Sequence, residues 1–219
     1  MMRPTKAATK SRYDDADRIL QYLVRRFIEM YGAYQSNVLA MDELNILKTT
    51  KTLYDDLLRE VEMYFRKLAR LAYGKAEKEI RKYTTNGKVN TTKVEAKWLR
   101  HILSDHNPVT KYVFMNEKDR QRDRLIEAIL AGAIVMDATK SSLKHWTDMV
   151  KQYAIEVVDE ATVTALRDYG VEKVMWMTER DERVCDDCEP LDGKIFRLEE
   201  LPEKPHIRCR CWIVPYEED

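Results

Sequence analysis

Apolar residues in this chain recur at steps of three and four over most of its length and change to steps of two only near the C-terminus. Ile19, Tyr22, Leu23, Phe27, Met30 and Tyr34 share one face of a helix predicted from Ser11 to about Tyr34. Leu44, Leu47, Leu53, Leu57, Val61, Tyr64, Leu68 and Leu71 do the same for a longer helix from Asp42 to about Tyr83. Most of those steps fit a 3.5-residue period, so the two helices are expected to form a coiled-coil-like hairpin. Thr49, Thr50 and Thr52 interrupt the stripe, and Asn86-Gly87 ends it with a turn signal. Thr92-Lys-Val-Glu95 reads as a capping box opening a short helix to about Leu103. Asp105-His106-Asn107-Pro108 then stops the pattern and is the best linker candidate.

Asn116 is placed as the cap of a helix running to about Met136, whose second half is apolar through 128–136. Ser141 or Ser142 is expected to cap the next helix, built on Leu143, Trp146, Val150, Tyr153, Val157, Ala161 and Ala165 and closed by Gly170. From Val171 to Thr178 the period becomes two, which predicts a strand, and Trp212-Ile213-Val214 predicts a last strand pairing with an earlier one. Asp192-Gly193 between apolar residues signals a hairpin with a type I′ turn. The fold class is therefore mainly α with a small β part (α+β): a long helical hairpin and helical bundle, then a small C-terminal β-hairpin module. The division is 1–108 as an N-terminal helical region and 109–219 as a second domain, with the β module at 171–219.

Composition agrees with this outline. Charged residues make up 35% and apolar residues 44%, with six glycines and six prolines, too few for an all-β fold rich in turns. Lys and Arg equal Asp and Glu, yet residues 1–100 carry 21 basic and 13 acidic residues while 101–219 carry 17 and 25. That asymmetry points to a basic half suited to polyanions, such as double-stranded DNA, and a separate acidic part. The stretch Arg66 to Arg100 is its densest section, and it reads either as a strip for phosphates or as a solvated helix face. Residues 1–11 read as a basic, structureless arm. No apolar stretch is long enough to cross a membrane, and the N-terminus lacks an apolar signal core, so the chain is expected in a reducing cytoplasm.

The candidate chemistry is concentrated near the end. All four cysteines lie in Cys185-Asp-Asp-Cys188 and Cys209-Arg-Cys211, with His206 three residues before Cys209. Two sulfurs two residues apart face one ion from a tight turn, and a second pair from a later segment completes a tetrahedron, which is the logic of zinc ribbons. Five donors compete for four places: Cys185, Cys188 and His206, with Cys209 or Cys211 as the fourth. Disulfides or unconnected thiols are the alternative, although cysteines confined to one cluster do not suggest a disulfide framework. The surplus of donors favours a closed structural Zn2+ over a catalytic one with an open position. Asp181, Glu182, Asp186, Asp187 and Glu189 around the first knuckle read as a solvated acidic loop rather than as a general base. His101, His106 and His145 read as ordinary surface or packed histidines. No phosphate loop, nucleophile elbow or framed carboxylate pair occurs, and an enzyme is not expected.

The same stretch carries a family resemblance. Trp176-Met-Thr178, Val184-Cys185-Asp-Asp-Cys188, Leu191-Asp192-Gly193 and Pro205-His206-Ile-Arg-Cys209-Arg-Cys211 together resemble the phage Mu F-like head morphogenesis domain, a minor capsid family. The likeness extends over roughly residues 110–215, with Ile207 standing where the family often has proline. It implies a structural virion component of the phage head, assembled in the host bacterial cytoplasm. The implied partners are the portal and other capsid or scaffold proteins, with self-association through the helices and a role in DNA packaging or ejection. The alternative reading is a zinc-ribbon nucleic-acid-binding protein without a capsid role. The acidic hairpin speaks against that, because it repels phosphate.

Overall fold

The structure, a computed structural model, describes residues 6–83, 108–178, 184–206 and 209–216. The expected helix at Thr92–Leu103, the Asn86-Gly87 turn, the linker at 105–107 and the acids Asp181 and Glu182 lie outside the described residues. Among the described residues four helices, α1 (Lys6–Val38), α2 (Glu43–Tyr83), α3 (Pro108–Leu130) and α4 (Val135–Asp168), precede three strands. The strands are β1 (Lys173–Met177), β2 (Ile195–Arg197) and β3 (Trp212–Pro215). The chain is mainly helical with one small antiparallel sheet, as the periodicity predicts. The described residues divide into two compact units: those within Arg18–Arg66 and His101–Tyr153, and those within Met1–Asp17, Lys67–Arg100 and Ala154–Asp219.

The described residues of the unit within 18–66 and 101–153 form four helical segments. Side-chain bonds link them: Tyr34 to Thr50 (2.7 Å) joins α1 to α2, Lys118 to Asp55 (2.8 Å) joins α3 to α2, and Tyr31 to Ser142 (2.7 Å) joins α1 to α4. Its centre is Trp146, fully buried, with Phe27, Tyr54 and Phe114 at ring-centroid distances of 6.3, 6.1 and 6.0 Å. Edge-on and tilted aromatic contacts of this kind add to the area buried.

Several helix details differ from the sequence reading. α1 begins at Lys6, five residues before the expected start, because Lys6-Ala-Ala-Thr-Lys10 is mostly strong helix formers. Tyr22 is exposed, since the buried stripe runs through Ile19, Leu23, Phe27, Tyr31 and Tyr34 and leaves it to the side. In α2 the first turns bury Ile46 and Thr50 and expose Leu44 and Leu47, and Leu71 lies at the helix surface. The helix continues through the threonines because Thr50 and Thr52 hydroxyls bond the carbonyls of Ile46 and Lys48 (2.7 and 3.1 Å). Asp42 caps its start by accepting from the Asn45 amide at 2.8 Å. α3 opens at Pro108 and not at Asn116, since proline's fixed φ suits a first helical turn. It closes at Leu130, where Gly132 (φ +84°) turns the chain, so the apolar run 128–136 is a corner and not one buried helix. Ser142, expected as a cap, is buried inside α4.

The other unit holds the sheet, in the order β2-β1-β3. β1 is central and pairs antiparallel with both neighbours, Val174 opposite Phe196 on one side and Met177 opposite Trp212 on the other. Val174 and Trp176 are buried on one face, and Met177, Trp212 and Val214 cluster with Met175. The predicted Asp192-Gly193 turn exists, but it does not close a hairpin: it joins a 3-10 turn at Glu189–Leu191 to β2, whose partner is β1. It is of type II rather than type I′, since Asp192 has φ −57° and ψ 124°, Gly193 has φ +76°, and the Lys194 amide bonds the Leu191 carbonyl at 3.0 Å. A single positive φ is needed there, and glycine supplies it. The Asp192 carboxylate accepts from the Thr178 amide at 2.9 Å, which ties the turn to the end of β1.

Candidate metal centre

The loop between β1 and β2 carries the first knuckle. The amides of Cys188 and Glu189 both bond the Cys185 carbonyl (2.9 and 3.0 Å), so the chain makes one tight turn and presents both sulfurs on the same side. The second knuckle repeats the device before β3, where the Cys209 amide bonds the His206 carbonyl at 3.3 Å. Because β1 pairs with both β2 and β3, the two turns arrive together.

The donor atoms meet around Cys188. Its Sγ lies 3.4 Å from His206 Nε2 and 3.6 Å from Cys209 Sγ. Cys185, Cys188 and His206 have donors all within 4.8 Å of one another, and so do Cys188, Cys209 and Cys211. A tetrahedral ion with bonds of about 2.3 Å to sulfur keeps such atoms about 3.8 Å apart, so these spacings fit one ion. All four cysteines are free, with Cys188, Cys209 and Cys211 buried, Cys185 half-buried and His206 exposed. The five predicted ligand residues are thus gathered in a metal-compatible arrangement.

The thiols already share protons unequally. A hydrogen bond from Cys211 holds Cys209 down to about 5, and the same bond pushes Cys211 up. Burial pushes Cys188 up to about 12, while a hydrogen bond with Cys188 lowers Cys185. Thiols that compete for protons in this way are what a cation relieves, since metal ligation replaces the protons. The acids of the first knuckle that are described, Asp186, Asp187 and Glu189, are exposed.

A second group lies behind the knuckle, and sequence reasoning missed it. Tyr13 of α1 donates to Asp159 of α4 at 2.8 Å, and the Lys204 ammonium sits 2.6 Å from the same carboxylate. Lys204 and Tyr13 also reach the carbonyls of Cys209 (2.8 Å) and Cys211 (3.1 Å). Tyr13 and Asp159 are 146 residues apart, and no local pattern marks either of them. Burial pushes the Asp159 carboxyl up, against the opposing pull of Lys204. His145, read as a packed or surface residue, lies 2.9 Å from the Glu117 carboxylate.

No curated protein and no solved structure matches the chain. Among the described residues no helix is long and apolar enough to cross a membrane. Residues 121–214 match the family model described as Phage Mu protein F like protein, a span that takes in the last ten residues of α3, all of α4, the sheet as far as Val214 and every cysteine. Over that segment the chain is similar to the Mu F-like phage head morphogenesis family.

Proposed function

We propose that this protein is a structural component of the phage head that acts with the portal and other capsid or scaffold proteins during procapsid assembly. The observation that carries this reading is the family match over 121–214. The donor set supports a structural zinc held by Cys185, Cys188, His206 and Cys209. Cys209 is chosen because Cys-x-x-Cys and His-x-x-Cys close the same backbone turn. Cys211 then serves as the neighbouring thiol that donates to the Cys209 sulfur. An ion in this place would cross-link two loops of a three-stranded sheet, and its chemistry is architectural. The exposed acids beside the knuckle fit a solvated loop, and no enzymatic step is assigned.

Contact with double-stranded DNA in packaging or ejection is assigned to the basic N-terminal half. On α2, Lys67, Arg70, Lys78 and Lys82 are exposed along the helix, whereas the sheet region exposes Asp186, Asp187, Glu189, Glu199 and Glu200. That distribution also disfavours the reading as a zinc-ribbon nucleic-acid-binding protein, whose hairpin would have to face phosphate. Co-expression with the portal of the same phage and affinity capture of the full chain tests the main reading. Co-purification of the two, lost when the portal is replaced by an unrelated ring protein, is the expected result. Absence of the chain from purified heads would overturn it.

A further inference from the structure

We propose that Tyr13, Asp159 and Lys204 are the outer shell of the metal centre, holding the backbone of the second knuckle so that Cys209 stays aimed at Cys188. The inference rests on the zinc reading above and deepens it.

Residues 209–211 belong to no strand or helix, so the ladder of a sheet does not fix their carbonyls. Buried carbonyls need partners. Here the partners are side chains: Lys204 Nζ donates to the Cys209 carbonyl at 2.8 Å, and the Tyr13 hydroxyl lies 3.1 Å from the Cys211 carbonyl. These two donors are themselves held. Lys204 donates to the Tyr13 oxygen at 2.9 Å and lies 5.2 Å from the centre of its ring. Asp159 holds both: its Oδ1, at 2.8 Å, shares the single Tyr13 proton with the Cys211 carbonyl, and its Oδ2 accepts from Lys204 at 2.6 Å. One carboxylate on α4 thereby orients an ammonium and a phenol, and each of those reaches one carbonyl of the Cys-Arg-Cys segment. Arg210, between the two cysteines, reaches Asp17 of α1 at 2.8 Å and adds a third tether. The free side chains of both cysteines are left facing Cys188, the residue common to both donor groups.

Partners that orient ligands from the next shell out are worth as much as about 10–100-fold in metal affinity. The full chain and its variants Asp159→Asn, Tyr13→Phe, Lys204→Met and Lys204→Arg are loaded with zinc and titrated against a chromogenic chelator. Cobalt is substituted in parallel, so that the thiolate absorption reports how many sulfurs remain bound. Expected are a 10–100-fold loss of zinc affinity for Asp159→Asn and Lys204→Met, a smaller loss for Tyr13→Phe, and recovery in Lys204→Arg. The cobalt spectrum should keep its thiolate count, because no ligand is removed. Variants that lose thermal stability yet bind zinc with unchanged affinity would make the trio a purely structural contact and overturn the proposal. Wild-type protein that takes up no zinc would overturn the metal reading, and the outer shell with it. Circular dichroism of each variant before titration confirms that a folded chain is compared. Should Asp159→Asn fail to fold, the contrast between Lys204→Met and Lys204→Arg decides.

Discussion

Tyr31 and Tyr54 put two hydroxyls into the interior of the helical unit, where both converge on Ser142 Oγ at 2.7 and 2.5 Å. Tyr54 also donates to the Gln121 carbonyl at 3.0 Å, so these polar atoms are satisfied in a site that excludes water. Burial pushes the Tyr54 phenol up to about 12 and Tyr31 well above the usual range. The folded value lies above the unfolded one of about 10, so the unfolded chain loses its phenolic protons first. Stability is therefore complete below about pH 10 and falls as pH rises through the folded value, by at most about 1.4 kcal/mol per pH unit for each such group. Urea unfolding midpoints measured from pH 9 to pH 11 should show this decline. In Tyr54→Phe the decline should flatten, at a cost of about 1 kcal/mol at neutral pH for the lost hydrogen bonds. An unchanged slope in that variant would remove the phenol as its cause. Trp146 sets the other residue-scale limit. Trp146→Ala empties the contact shared by Phe27, Tyr54 and Phe114 and should cost about 3–5 kcal/mol by denaturant titration.

At the scale of elements, two glycines end two helices by the same bonds, and only one of them was legible in the sequence. After α4 the Gly170 amide bonds the Arg167 carbonyl and the Val171 amide bonds Leu166, both at 3.0 Å. After α3 the Gly132 amide bonds Ile129 at 3.0 Å and the Ala133 amide bonds Ala128 at 2.9 Å. Both are Schellman motifs with the glycine in the left-handed region, at φ +70° and +84°. Gly170 could be read because the helical stripe stops and the period changes beside it. Gly132 could not, because Leu130, Ile134 and Met136 around it are apolar, and such a run reads as buried. In the structure Ile134 is 69% exposed and Met136 54%, an apolar corner where polar turn residues are the rule. The shift from Leu44 and Leu47 to Ile46 and Thr50 has a related cause. Thr50 pairs its hydroxyl with Tyr34 and with its own helix, and so can be buried although it is polar. A Cβ built on either glycine meets no atom within 4 Å, so replacement is opposed by backbone conformation alone. Gly132→Ala and Gly170→Ala should each cost about 1–2 kcal/mol, with asparagine at either place costing less, as thermal unfolding would show. Equal stability of the alanine variants would mean that the corners can relax out of the left-handed region.

For the molecule as a whole, the metal centre divides into a part that local spacing reveals and a part that it hides. The knuckles are short and self-contained, so Cys185, Cys188, His206, Cys209 and Cys211 could be named from spacing alone. Tyr13, Asp159 and Lys204 come together only because α1, α4 and the loop before β3 meet in the folded unit, and their separations of up to 191 residues leave no pattern to read. Zinc removal tests what this division means for stability. The sheet has only twelve residues in strands, and its loops are joined at the knuckles. A structural zinc contributes on the order of 10 kcal/mol in small modules, so the apo form should lose the sheet while keeping most of its helical signal. Among the described residues, the buried ones of the helical unit, such as Phe27, Leu57 and Trp146, belong to neither group of metal donors. Chelation at neutral pH is expected to red-shift the fluorescence of Trp176 and Trp212 while far-ultraviolet circular dichroism changes little. Cys188→Ser should be the most damaging single replacement, because Cys188 belongs to both donor groups. Cys209→Ser should also release zinc, whereas Cys211→Ser should retain close to one equivalent per chain. The reverse order, with Cys211 indispensable and Cys209 dispensable, would move the fourth ligand to Cys211. A wild-type chain purified with less than about half an equivalent of zinc would leave the knuckles without the ion that their spacing fits.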